Sequence, residues 1–260
     1  MDSLDWHTDR ATLEWLVDLG ATEAITDAPI NRYELEAAKP KVKAKSAVLP
    51  PKDENPFPKL APVNVDAVAE AELAVANCTT LSMLRDVMVG FQHCDLRKGA
   101  RNLVFSDGNP EADLMIIGEA PGKDEDIKGT PFVGKAGQLL TKMLAAINID
   151  REQHVYITNI LPWRPPQNRD PKPDEVAMMM PFLRKHVELT APKVLVCMGN
   201  HSCHAVIGKR GITKIRGQWD QGLGLPVLPM LHPAYLLRQP IAKRDTWMDL
   251  LKLQAKLKTL

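Results

Sequence analysis

Four short, almost wholly apolar runs divide the second half of the chain: Leu114–Ile117, Val155–Ile160, Lys193–Met198 and Val227–Leu231. Runs of four to six apolar residues with no polar alternation read as strands buried on both faces, the pattern of a parallel sheet covered by helices on either side. Helical stretches separate them. Lys135–Ile147 follows Gly134, and Pro173–Thr190 opens on Pro-Asp-Glu, residue types that suit a first helical turn. From Asn64 to about Val89, alanines, leucines and charges fit one helix with an apolar stripe. The expected fold is therefore a three-layer α/β/α sandwich around a central, mainly parallel, four-stranded sheet.

The first part of the chain is different. Residues 1–36 suit an amphipathic helical segment with Leu4, Leu13, Trp15 and Leu16 in its apolar set. Residues 37–63 are rich in Pro, Lys and Ala, too poor in apolar surface to offset their ordering entropy, and are expected to form a flexible linker. This leaves 64–260 as the folded domain. The 260 residues carry 33 basic and 32 acidic side chains, a net charge of +1, so a nucleic-acid partner has to be met by a local patch. No apolar run is long enough to span a bilayer, and the N-terminus lacks the basic start and apolar stretch of a secretory signal, so the expected location is the cytoplasm, at the nucleoid in a bacterium. Four scattered cysteines, Cys78, Cys94, Cys197 and Cys203, argue against a disulfide framework.

Candidate chemistry begins where the first strand ends, Ile116-Ile117-Gly118-Glu119-Ala120-Pro121-Gly122, and continues to Gly129-Thr130-Pro131-Phe132-Val133-Gly134-Lys135-Ala136-Gly137. Loops at the carboxyl ends of parallel strands are where open α/β sheets bind ligands. A glycine-rich strand-to-helix loop alone fits nucleotides, phosphates and structural turns alike. Together with Tyr156-Ile157-Thr158-Asn159 leading to Arg164-Pro165-Pro166-Gln167-Asn168-Arg169, and His232-Pro233-Ala234-Tyr235-Leu236-Leu237-Arg238, it resembles the motifs of family 4 uracil-DNA glycosylases, the iron–sulfur type, over about residues 90–240.

The resemblance implies an enzyme that flips uracil out of DNA, hydrolyses its N-glycosidic bond, and releases free uracil and an abasic site. Gly118 and Ala120 would line the uracil pocket. Phe132 would stack on the base or serve as a core aromatic. The Asn159 amide matches O4 and N3–H of uracil, and cytosine presents the reversed pattern. His232 could donate to O2 as the base departs as an anion. Glu119 and Glu125 compete for orienting water, with Asp124 and Asp126 less suited; the resemblance points to Glu119, with Glu125 in support. DNA contacts are expected from Arg164, Arg169, Lys214, Arg216 and Arg238. Leu236 and Leu237 could wedge into the vacated stack or pack as the first turn of a core helix.

Family 4 enzymes hold a 4Fe–4S cluster with four cysteines, and this chain has Phe91, Cys94, Trp163 and Met179 at those places. Only Cys94 can ligate iron as thiolate, so the expectation is no cofactor, with apolar packing in the cluster's place. Cys197, His201, Cys203 and His204 lie near one another in sequence but at spacing that scatters them, so no metal site is expected. A monomer is expected. Two other classes compete: a protein that grips uracil-DNA or its abasic product with little turnover, and a nucleotide-binding or phosphohydrolase domain, which would lack a Walker-type loop.

Overall fold

The computed structural model describes residues 66–260. The predicted N-terminal helical segment, 1–36, and the predicted linker, 37–63, lie outside the described residues. Six strands form one sheet in the order β1-β3-β2-β4-β6-β5. They are β1 (Asp107–Gly108), β2 (Leu114–Gly118), β3 (Val155–Asn159), β4 (Val194–Met198), β5 (Asp220–Gly222) and β6 (Leu225–Met230). β3, β2, β4 and β6 are mutually parallel and correspond to the four apolar runs. Every residue of β2, β3 and β4 is buried, which requires helices on both faces and gives the three-layer sandwich.

Two features differ from expectation. The sheet has six strands, not four, because β1 and β5 add antiparallel edges. These edges are two and three residues long, Asp-Gly and Asp-Gln-Gly, with no apolar run to betray them. The single helix expected over 64–89 is two, α1 (Ala67–Ala76) and α2 (Leu81–Gly90). Asn77 ends the first, and the Thr80 hydroxyl accepts from the Met83 N–H at 3.2 Å to start the second.

The other α-helices of the described residues are α3 (Leu96–Gly99), α4 (Lys123–Lys128), α5 (Lys135–Ala145), α6 (Arg151–His154), α7 (Pro173–Thr190), α8 (Asn200–Ile207), α9 (Ile212–Ile215), α10 (Pro233–Arg238) and α11 (Lys243–Leu257). From β2 the chain moves to β3 on one side, then crosses to β4 on the other. This reversal opens a crevice at the carboxyl ends of the parallel strands. No helix among the described residues is long and apolar enough to cross a membrane.

Candidate active site

A cleft of about 610 Å³ opens at that reversal, lined from all four parallel strands: Glu119 and Ala120 after β2, Asn159 at the end of β3, His201 beyond β4 and His232 beyond β6. Its floor follows from strand register. Gly118 is paired with Asn159 across β2 and β3. A Cβ on Gly118 would lie 2.2 Å from Asn159 Oδ1 and 2.7 Å from the Phe132 ring, so only glycine lets both side chains occupy this corner. The ladder continues past the strand ends, with Ile160 N–H donating to Gly118 O and Leu161 N–H to Glu119 O, each at 3.0 Å. The Asn159 amide makes no hydrogen bond to another described residue, and Asn159 lines the cleft. It is therefore free to pair with a ligand.

Phe132 sits in the turn between α4 and α5 with φ of +53°, a left-handed conformation that costs a non-glycine residue about 1–2 kcal/mol. Two neighbours hold it there. Arg151 donates to the Phe132 and Pro131 carbonyl oxygens, each at 2.8 Å, and forms an ion pair with Asp107. Gly137 makes room, since a Cβ there would lie 1.7 Å from Phe132 O. The Phe132 ring stacks on His232 with centroids 5.5 Å apart.

His232 caps α10. Its Nδ1 accepts from Ala234 N–H at 3.1 Å, so the neutral ring carries its proton on Nε2. Burial pushes His232 down to about 4, with the Arg238 cation adding to the effect and Glu125 opposing it. At neutral pH the ring is an uncharged donor.

The two candidate glutamates are held differently. Glu125 Oε1 accepts from Val133 N–H at 3.0 Å and Gly134 N–H at 2.9 Å, and Oε2 from Gly122 N–H at 3.2 Å. Its carboxylate ties α4 to the turn that carries Phe132. Glu119 accepts from His201 Nδ1 at 2.7 Å through Oε2, and Oε1 has no partner among the described residues. His201 thus belongs to the cleft, a place no motif in the sequence indicated.

The residues expected to meet DNA divide. Arg238 and Lys214 are exposed, and Arg164 bonds to Asn168 Oδ1 at 2.7 Å. Arg169 lines the cleft but is paired with Glu175 on α7. Arg216 departs from expectation: its guanidinium pairs with Asp249 on α11 at 2.6 Å, and Asp249 is 1% exposed. Arg216 is thus engaged within the fold. Leu236 is buried in the core while Leu237 is 44% exposed, so of the two the helical phase of α10 turns Leu237 to the surface.

All four cysteines are free and buried. Cys94 lies among the apolar side chains of the core, where burial pushes its thiol up to about 11. Cys203 Sγ approaches Cys197 O at 3.8 Å, and His204 is exposed. Among the described residues, the one group of His, Cys, Asp and Glu side chains close enough to share an ion is Glu119, Asp170 and His201, so the four thiols do not converge on one point.

A cleft that pairs a free amide, a stacked aromatic ring and a neutral imidazole donor at this switch point has the makings of a base-recognition site. The family model of the uracil DNA glycosylase superfamily matches residues 105–252. A type-4 uracil-DNA glycosylase of Archaeoglobus fulgidus is 39% identical over 180 residues, 66% of this chain and 89% of that one. One from Sulfurisphaera tokodaii is 37% identical over 185 residues, 67% and 84% of the two chains. One from Thermotoga maritima is 43% identical over 148 residues, 56% and 77%. The chain belongs to the uracil-DNA glycosylase superfamily, on its type-4 branch.

These relatives overturn one expectation. They are named type-4 uracil-DNA glycosylases, the family whose resemblance implies an iron–sulfur cluster, and this chain has four cysteines, so the expectation of no cofactor is withdrawn. The four thiols as arranged do not form a single ligand set.

Proposed function

We propose that the cleft receives a uracil flipped out of DNA and that Asn159, Phe132, His232 and Glu119 carry its excision. The chain is an N-glycosyl hydrolase of DNA repair that removes uracil from DNA. The observation that best supports these residue roles is the Asn159 amide on the cleft floor, without a hydrogen-bond partner among the described residues, beside Phe132 and a neutral His232.

Asn159 Oδ1 accepts from uracil N3–H while its Nδ2 donates to O4. Cytosine offers an acceptor and a donor in those places, leaving the amide mismatched, a penalty that typically rejects the wrong base by about 10⁴-fold. As the bond from N1 to the sugar C1′ breaks, the base departs with the electron pair. His232 Nε2–H donates to O2, where the charge gathers, and a preorganised donor of this kind contributes about 3 kcal/mol. A water held on Glu119 attacks C1′ and gives its proton to the carboxylate, whose charge also offsets that of the sugar cation. Gly118 and Ala120 shape the floor and rim. Glu125 supports by fixing the Phe132 turn.

DNA is held by Arg238 and Arg169, which line the cleft, together with Lys214 and Arg164, with Leu237 entering the stack. Free uracil and an abasic site are the products. The enzyme works as a monomer in the cytoplasm, with residues 64–260 as the catalytic domain. Grip without turnover is not favoured.

A uracil-containing duplex oligonucleotide, incubated with the protein and treated with alkali, is expected to be cut at the uracil. The Asn159→Ala and His232→Ala variants are expected to cut it at least 100-fold more slowly. Wild-type rates in both variants would refute the assigned roles.

A further inference from the structure

His201 is the second residue of α8, and Gly199 before it has φ of +95°, a turn that a glycine makes without strain. That turn brings the imidazole back over the end of β2. There Nδ1 lies 2.7 Å from Glu119 Oε2, and Nε2 lies 3.9 Å from Asp170 Oδ2. Both partners of the short contact are about one-quarter to one-third exposed and line the cleft, whereas Asp170 is 84% exposed and its long contact is weak. Of the two ring nitrogens only Nδ1 is at hydrogen-bond distance from a carboxylate, since 3.9 Å is too long for a hydrogen bond from Nε2.

We propose that His201 is a positioning residue for uracil excision: its Nδ1–H anchors Glu119 Oε2 and leaves Oε1 to hold the attacking water. This rests on the reading of Glu119 as the water-orienting carboxylate. A glutamate has three rotatable bonds, and the backbone bond from Leu161 to Glu119 O fixes its main chain but not its carboxylate. Among the described residues His201 is the one group that donates to that carboxylate. Without it the two oxygens exchange and the water loses its fixed place, and misplacement by about 1 Å can cost about 100-fold in rate.

The chemistry of the contact dictates the test. The Asn side-chain nitrogen falls near the position of His Nδ1, whereas Gln reaches toward the place of Nε2. The comparison is of single-turnover excision rates, and of uracil-DNA affinity, for His201→Ala, His201→Gln, His201→Asn, Glu119→Gln and the double variant Glu119→Gln/His201→Ala. His201→Ala and His201→Gln are expected to slow the chemical step roughly 10–100-fold with DNA affinity within about 2-fold of wild type. His201→Asn is expected to recover most of that rate. In the Glu119→Gln background, His201→Ala is expected to add no further loss, since the imidazole acts through the carboxylate.

Equal losses in both backgrounds would overturn the proposal, as would a His201→Asn enzyme as slow as His201→Ala. A wild-type rate in His201→Ala alongside a slow Glu119→Gln would overturn it while leaving the role of Glu119 intact. A wild-type rate in Glu119→Gln would remove both. Thermal melts of each variant, with His201→Asn as the least disruptive, separate loss of fold from loss of rate.

Discussion

Arg151 donates to the carbonyl oxygen of Phe132 at 2.8 Å, and through this bond a residue on α6 fixes the backbone of an aromatic that lines the cleft. The same guanidinium reaches Pro131 O, Thr141 Oγ1 and the Asp107 carboxylate, so four acceptors share it. A planar fork can serve them together, and an ammonium cannot. Arg151→Ala is expected to cost about 1–3 kcal/mol of stability and to slow excision roughly 10-fold, because the strained Phe132 turn loses its clamp. Arg151→Lys is expected to recover less than half of the lost stability. Urea unfolding and single-turnover rates measure both, and an Arg151→Ala enzyme matching wild type in each would disprove the clamp.

Gly118 is the second structural requirement. Any side chain there meets Asn159 Oδ1 and the Phe132 ring at once, and both are side chains that contact the base in the proposed complex. Gly118→Ala is therefore expected to displace one or both, lowering the excision rate about 100-fold. Because the displaced atoms border an open cleft, the fold is expected to survive, with its midpoint in urea shifted only modestly. An active Gly118→Ala enzyme would show that the floor is looser than its geometry indicates.

Arg216 and Arg238 offer a contrast between a cation paired within the fold and one exposed at the cleft. Asp249 is buried, and burial pushes its carboxyl up even though Arg216 pulls the other way. Removing the guanidinium leaves that acid unpaired, so Arg216→Ala is expected to cost about 3–5 kcal/mol of stability. Arg238→Ala is expected to leave stability within about 0.5 kcal/mol and to reduce the salt dependence of DNA binding by about one phosphate contact. Binding titrations at several salt concentrations, beside urea melts, distinguish the two; the reverse pattern would reassign them.

What could be read in the sequence divides along the range of the interactions. The four central strands were legible because each is a continuous apolar run, and Pro173–Thr190 because its first turn carries Pro-Asp-Glu. The edges β1 and β5 were not, since two or three polar residues pair there only because a neighbouring strand offers its backbone. Phe132, Asn159 and His232 stood out by their motifs, and the fold gathers them at one cleft. His201 did not, because its meaning depends on Glu119, 82 residues away. Arg151 and Arg216 escaped for the same reason: each looks like a surface cation until its partners, 44 and 33 residues distant, are brought to it. Leu236 and Leu237 are equivalent as letters, and only the phase of α10 against the core separates them.

The stability of the fold is expected to fall on mild acidification because of His186 and His232. The His186 ring is fully buried, with Nδ1 2.9 Å from the Tyr156 hydroxyl, and burial pushes it down to about 3. His232 is pushed down to about 4 by burial, with help from Arg238. In the unfolded chain both titrate near 6.5. Between about pH 6.5 and 4, therefore, the unfolded chain binds protons that the folded chain does not, and unfolding is favoured as pH falls. Above pH 6.5 both states are neutral at these positions and the effect vanishes. The slope approaches about 2–3 kcal/mol per pH unit when both rings contribute, and above pH 5 most carboxylates are still ionised and do not mask it. Urea midpoints at pH 7, 6 and 5 are expected to fall steadily below pH 6.5. A His186→Gln variant, whose side chain does not protonate, is expected to fall about half as steeply, whatever its stability at pH 7. A midpoint that stays level from pH 7 to 5 in the wild type would mean that these rings are reached by water and proton in the folded state.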